Sequence, residues 1–207
     1  MTATIEVFAD INCPFTHVGL KVIVAEIEAA DTPIDLRVRA WPLEWVNGSP
    51  LDADGIAEKV AALTSQLGID AFDGFRWDSW PDTTIPALNL ADAAYSRDPA
   101  TGLAVSLRLR SILFEEGHNI ADEHVLAGVA DTFALPRPEL TPTAGVEADY
   151  ADGKRRGVRG SPDFWVEGRE FFCPSLTIGH DDVGGLTATF DDDGIRELVR
   201  SLQPPKG

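Results

Sequence analysis

Residues 4–9 alternate apolar and polar positions, the period of a strand. Residues 34–41, IDLRVRAW, alternate strictly, with Ile34, Leu36, Val38 and Ala40 on one face. Between them, Val18, Val22, Ile23 and Ile27 recur at helical spacing over 14–30, and Asp31-Thr32-Pro33 reads as a helix stop. The opening segment is therefore β-α-β, closed by Pro42. The period then changes. Residues 52–68 form a helix with an Asp start and a Gly stop, and 69–86 an irregular loop holding Phe72, Phe75, Trp77 and Trp80. Helices follow over 87–97, 100–116, 122–134 and 143–156. Strand patterning returns with a hairpin of 163–166 and 171–173, turned at Glu167-Gly168. A second hairpin pairs Leu176–His180 with Leu186–Phe190, and Asp191-Asp192-Asp193 caps a last helix, Ile195–Leu202.

The order β-α-β, all-helical, β-β-α predicts an α/β protein: a thioredoxin-like fold with an inserted helical domain. Residues 1–48 and 154–207 make the discontinuous thioredoxin-like domain, and 49–153 the insertion. The helical part cannot continue the sheet, so it is expected as a lid over one end.

Composition narrows the function. A formal net charge of -17 argues against nucleic acid as a partner. No apolar run reaches the ~20 residues of a membrane helix, so no membrane association is expected. The N-terminus enters a strand at once, without a basic or apolar leader, so the expectation is a cytoplasmic protein. Two distant cysteines, Cys13 and Cys173, make neither a disulfide framework nor a metal site.

The chemistry concentrates in residues 5–20. A strand leads through Asp10 into Cys13-Pro14-Phe15-Thr16, where a helix begins. Pro14 suits a first helical turn. Cys13 then faces unsatisfied N–H groups and the positive end of the helix dipole, a placement that favours the nucleophilic thiolate. Thr16 stands where a two-cysteine motif carries its second sulfur, so Cys13 closes no local disulfide. In the thioredoxin plan the strand at 163–166 starts beside the end of the first strand. A cis Pro162, after Ser161, would face Cys13 there. Cys173 ends the returning strand and is either a small buried residue or a resolving thiol for Cys13. His17 and Arg159 are candidate auxiliaries. Arg159 belongs to the one basic cluster, with Lys154, Arg155 and Arg156, which is either a solvated helix end or an attractor for an anionic thiol.

On D-x-x-C-P-F-T-x-x-G (Asp10 to Gly19) and R-G-V-R-G-S-P-D-F-W-V (Arg156 to Val166), the chain resembles a thioredoxin-fold group. The group contains DsbA-type oxidoreductases, FrnE-like proteins, kappa-class glutathione transferases and 2-hydroxychromene-2-carboxylate isomerases. FrnE-like members usually carry two cysteines in the first motif, and kappa and isomerase members a serine at its first position. This chain is a C-x-x-T variant between them. The resemblance places Cys13 at the nucleophile position, Thr16 as a hydroxyl donor to its sulfur, and Pro14, Phe15, Ser161 and Pro162 around a bound thiol. Kappa members hold glutathione on a Gly-Ser-Asp-like turn, and here Cys173-Pro174-Ser175 stands in its place.

The expected function is a thiol–disulfide oxidoreductase acting through one active-site cysteine and a mixed disulfide. The alternatives are a thiol-dependent transferase or isomerase of the kappa and hydroxychromene-carboxylate type, or a redox-inactive binding protein. No tightly bound cofactor is expected. A low-molecular-weight thiol serves as co-substrate, the partner is a small thiol or a protein disulfide, and a homodimer is left open.

Overall fold

The computed structural model describes residues 3–29 and 34–202. The stop signal at Asp31-Thr32-Pro33 lies outside the described residues. Strand β1 (Ala3–Ala9) runs parallel to β2 (Ile34–Ala40), joined through helix α1 (Pro14–Glu28). β3 (Asp163–Val166) lies antiparallel to β1, with Phe8 opposite Asp163, and β4 (Arg169–Phe172) closes the order β2-β1-β3-β4. Glu167 and Gly168 turn the β3–β4 hairpin with φ of 49° and 83°, and two positive φ values match the twist of the paired strands.

Between β2 and β3 lie α2 (Leu43–Asn47), α3 (Ala53–Leu67), α4 (Ile85–Arg97), α5 (Pro99–Phe114), α6 (Glu123–Thr132) and α7 (Ala144–Arg156). The abundant aspartates do local work as caps. Asp52 accepts from the Gly55 N–H, Asp98 from Thr101, and Asp122 from His124 and Val125. Such a cap stabilises a helix by about 1 kcal/mol. The aromatic loop is ordered: Phe72, Phe75 and Trp80 surround Phe114, and only Trp77 of this group is exposed. Helix α2 has no counterpart in the apolar periodicity, because its five residues are too few to show one.

Strand alternation sorts the two sheet faces. Ile5, Val7, Leu36, Val38, Phe164 and Val166 pack with Leu20 and Ile23 of α1, and with Ile195 and Leu198 of α8 (Asp192–Ser201). On the opposite face Glu6 and Phe8 meet α7. Arg39 bonds Glu6 (2.5 Å) and Asp149 (2.5 Å), and Arg156 bonds Glu6 (2.6 Å) and Asp152 (2.8 Å). Both guanidinium groups lie over the Phe8 ring. A Cβ on Gly153 would come 2.6 Å from Trp41, so glycine permits this close approach of α7. The network fixes the end of α7, from which the loop carrying Ser161 departs.

β5 (Leu176–His180) and β6 (Leu186–Phe190) form a separate two-stranded sheet. It packs on α3, away from the four-stranded sheet. Gln66 of α3 donates its amide to the Leu186 carbonyl (2.6 Å) and accepts from the Ala188 N–H (2.6 Å). The side-chain amide thus supplies the bonds a neighbouring strand would make, and Leu176, Ala188 and Cys173 join the core of the helical block. Among the described residues no helix is long and apolar enough to cross a membrane.

Candidate active site

Cys13 is the N-cap residue of α1, with extended backbone (φ -87°, ψ 115°). Pro14 occupies the first turn, where its missing N–H leaves no bond unmade. The Cys13 thiol donates to the backbone carbonyl of Ser161 at 3.0 Å. The Ser161–Pro162 peptide is cis. Phe15 is half-buried against the helical core. Cys13 itself is only 3% exposed, so a partner must be small or extended to reach the sulfur.

Ser161 organises the site. Its hydroxyl oxygen accepts from the Asp10 N–H (3.0 Å) and shares a hydrogen bond of 2.7 Å with the Thr16 hydroxyl. The resemblance implies a Thr16 hydroxyl donated to the Cys13 sulfur. The structure directs that hydroxyl to Ser161 instead, because the third residue of α1 points toward the loop before β3.

Asp10, in the β1–α1 turn, has every polar group engaged. Its N–H meets Ser161, its carbonyl accepts from Arg110 Nη2 (3.1 Å), and its carboxylate accepts from the N–H groups of Ile11 (2.7 Å) and Leu43 (2.6 Å). The turn holding Cys13 is thereby tied to α2, α5 and the Ser161 loop at once. Burial pushes the Asp10 carboxyl up to about 6, against the opposing effect of those N–H groups and of the Arg110 charge. Asp163, directly after Pro162, is likewise pushed up to about 6, first by burial and further by neighbouring Glu170.

His17 and Arg159 turn away from the sulfur. The buried His17 ring stacks on Phe114, and its Nε2–H donates toward the Ala71 carbonyl (3.1 Å) and Glu115 (3.2 Å). Burial holds it down to about 4, so the ring is neutral at pH 7. Arg159 bonds Glu170 (2.5 Å) and covers the Phe172 ring. Arg155 and Arg156 pair with Asp152.

Cys173 lies one residue past β4, at the active-site end, with its N–H bonded to the Pro162 carbonyl (3.1 Å). Burial, and secondarily the nearby Cys13, push its thiol up to about 12. Neighbouring Ser175 contacts α1 at Gly19.

Arg110 escapes any reading of spacing. It is a fully buried arginine whose Nη1 donates to the Ser106 hydroxyl (2.6 Å) and carbonyl (2.8 Å) one turn earlier in α5. The one signal in the sequence is the Ser106/Arg110 spacing of four.

Neither a family model nor a curated protein matches the sequence. Solved structures do. A probable DsbA oxidoreductase from Streptomyces coelicolor superposes with a TM-score of 0.62 at 17% identity, covering 99% of this chain and 93% of that one. A 2-hydroxychromene-2-carboxylate isomerase gives 0.59 at 14% identity, covering 81% and 87%. The cytosolic disulfide reductase DsbM from Pseudomonas aeruginosa gives 0.54 at 18%, covering 96% and 98%, and has also been solved with GSH. At these identities the likeness establishes the fold, which is the thioredoxin-like architecture shared by DsbA-like proteins and that isomerase.

Proposed function

We propose that this protein is a DsbA-like thiol–disulfide oxidoreductase that works through Cys13 alone. The observation that carries the reading is the Cys13 sulfur at the N-cap of α1, 3.0 Å from the carbonyl of the residue before Pro162. An extended thiol ligand can pair with backbone at that place. The Cys13 thiolate attacks one sulfur of a disulfide RSSR, forming Cys13–S–S–R and releasing RS⁻, which takes up a proton. A second thiolate then attacks the R sulfur, giving a new disulfide and returning Cys13 as thiolate.

That second thiolate comes from solution. Cys173 is pushed up to about 12, so at neutral pH it is a thiol, and the thiolate is the attacking form. The co-substrate is therefore a low-molecular-weight thiol. The near-complete burial of Cys13 favours a small disulfide over a folded protein. Both cysteines are free, in keeping with a reducing, cytoplasmic setting.

The test is intact mass and peptide mapping after incubation with glutathione disulfide. One mixed disulfide on Cys13 is expected, formed equally in Cys173→Ser, absent in Cys13→Ser and removed by excess thiol. If no adduct forms while glutathione binds non-covalently, the reading passes to the thiol-dependent transferase or isomerase class. If neither occurs, the site is a redox-inactive binding cleft.

A further inference from the structure

Arg110 is the most deeply buried arginine of the described chain, at 1% exposure. A buried cation is costly unless it is paired. Other arginines of this acidic protein find carboxylates: Arg39, Arg108, Arg156 and Arg159 each lie in an ion pair. Among the described residues no carboxylate oxygen comes within ion-pair distance of the Arg110 guanidinium. Its donors go instead to neutral oxygens, the Ser106 hydroxyl and carbonyl and the Asp10 carbonyl, and its buried Nε has no hydrogen-bond partner. The ionisable groups whose charges it meets are Asp10 in the β1–α1 turn, Cys13 and His17 on α1, and Tyr95 on α4. His17 and Tyr95 are neutral at pH 7, which leaves the carboxyl of Asp10 as its nearby acidic group. Asp10 lies in the same turn as Cys13, and Arg110 already bonds its backbone carbonyl.

We infer that Arg110 is a positioning residue for the thiol chemistry. It holds the Asp10–Cys13 turn through the Asp10 carbonyl, and its buried positive charge stabilises negative charge on the Cys13 sulfur. This deepens the oxidoreductase reading and rests on Cys13 being the reacting thiol. Charge develops on that sulfur twice in the cycle, before attack and when the mixed disulfide is broken. A fixed cation in a water-poor site acts on it more strongly than one in solvent. The second contact, from Ser106, keeps the guanidinium from swinging away, because the two residues stand one turn apart on the same helix face.

The experiment is the pH profile of Cys13 alkylation by iodoacetamide, read by peptide mapping in the full-length protein. Arg110→Met should displace the profile to higher pH and slow the reaction at neutral pH several-fold. Arg110→Lys should restore most of the rate, since it keeps a charge at the same depth. A folded Arg110→Met with an unmoved profile overturns the inference and leaves Arg110 a packing residue. Should Arg110→Met not fold, Ser106→Ala provides the reading. It removes the shortest of the contacts that fix the guanidinium, while the Ser106 and Asp10 carbonyls still hold it. It should displace the profile by less in the same direction; no displacement there overturns the inference equally. Alkylation needs no disulfide substrate. Failure of the inference therefore shows in the profile, whereas failure of the oxidoreductase reading shows as a missing mixed disulfide in the wild type.

Discussion

The Cys173 N–H donates to the carbonyl of Pro162 at 3.1 Å, which places the second cysteine directly behind the loop that meets Cys13. This bond continues the β3–β4 ladder one step past its last strand pair, Asp163 with Phe172. The positive φ of Cys173, 46°, then turns the chain out of the sheet toward β5 and α3. The residue packs into the helical core and is 7% exposed, against 3% for Cys13, so what separates the two thiols is the helix N-terminus at Cys13 and not the degree of burial.

The first prediction concerns this thiol. At pH 7 iodoacetamide should modify Cys13 and leave Cys173 intact, because burial holds the latter at about 12. Mild oxidation should give Cys13 as a sulfenic acid or mixed disulfide with Cys173 still free. A Cys13–Cys173 linked peptide as the main product would contradict the external-thiol cycle. Cys173→Ser should retain adduct formation while destabilising the fold by about 1–3 kcal/mol, the cost of a hydroxyl buried without a partner.

The second prediction follows from three buried groups that titrate in one pH range. Asp10 and Asp163 are raised from 3.8 to about 6, so the native state holds protons that the unfolded chain has released between pH 4 and 6. Each makes stability fall as pH rises through that window. His17 is lowered from 6.5 to about 4, so there the unfolded chain holds the extra proton and stability rises with pH over nearly the same window. Asp149 is also raised by burial and adds to the fall. Glu6 and Asp152, held low against their burial by Arg156 and Arg39, oppose it chiefly below pH 5. The net fall is therefore expected between pH 5 and 6, and each two-unit shift is worth up to about 3 kcal/mol. Urea unfolding at pH 4, 5, 6 and 7 should show that fall. In Asp10→Asn the fall should be shallower, and an unchanged slope would mean that the Asp10 carboxyl is already ionised across the window.

A third prediction separates side chain from backbone at Ser161. Ser161→Ala removes the acceptor of the Asp10 N–H and the partner of Thr16 but keeps the carbonyl that meets Cys13. Leaving those groups unpaired should lower stability by about 1–3 kcal/mol in chemical denaturation. The mixed disulfide with glutathione should still form, since its contact is backbone. Loss of the adduct at full stability would assign the hydroxyl itself to the chemistry.

Much of this architecture was readable in local pattern. Strict alternation over 34–41 and the Glu167-Gly168 turn need only near neighbours, and β2 and the turn stand where the pattern places them. β4 spans Arg169–Phe172 and not 171–173, because the tight turn lets pairing begin directly after Gly168, and Cys173 falls one residue past it. The pairing of the Cys13 turn with the Ser161–Pro162 loop came from element order, since β3 must return antiparallel beside β1. What stayed hidden depends on contacts distant in sequence. The β5–β6 hairpin has a strand period but nothing in it announces Gln66, the residue that draws it to α3. Arg110 sits in LRLRSILF two residues from surface Arg108, and no period separates the buried guanidinium from the exposed one. His17 follows the reactive motif in sequence, yet helical rotation sends it to Ala71 and Glu115. Direction around a helix decides such roles, and adjacency does not.

The last prediction uses that direction. Cys13 and Thr16 stand three residues apart at the start of α1, and both side chains converge on Ser161, one on its carbonyl and the other on its hydroxyl. Residues three apart on a helix have Cα atoms about 5–6 Å apart, inside the span a disulfide bridges. Thr16→Cys should therefore complete the dithiol that this chain lacks. With glutathione disulfide the wild type should stop at the Cys13 mixed disulfide. Reduced Thr16→Cys should pass through it. The introduced thiolate attacks the Cys13 sulfur, closes an internal disulfide within the motif and releases glutathione, two molecules in all for each glutathione disulfide consumed. Intact mass decides between the outcomes, because the variant should lose two hydrogens where the wild type gains a glutathionyl group. Persistence of the glutathione adduct on the variant would show that position 16 cannot reach the sulfur. The wild-type threonine would then owe its place to the bond with Ser161 alone.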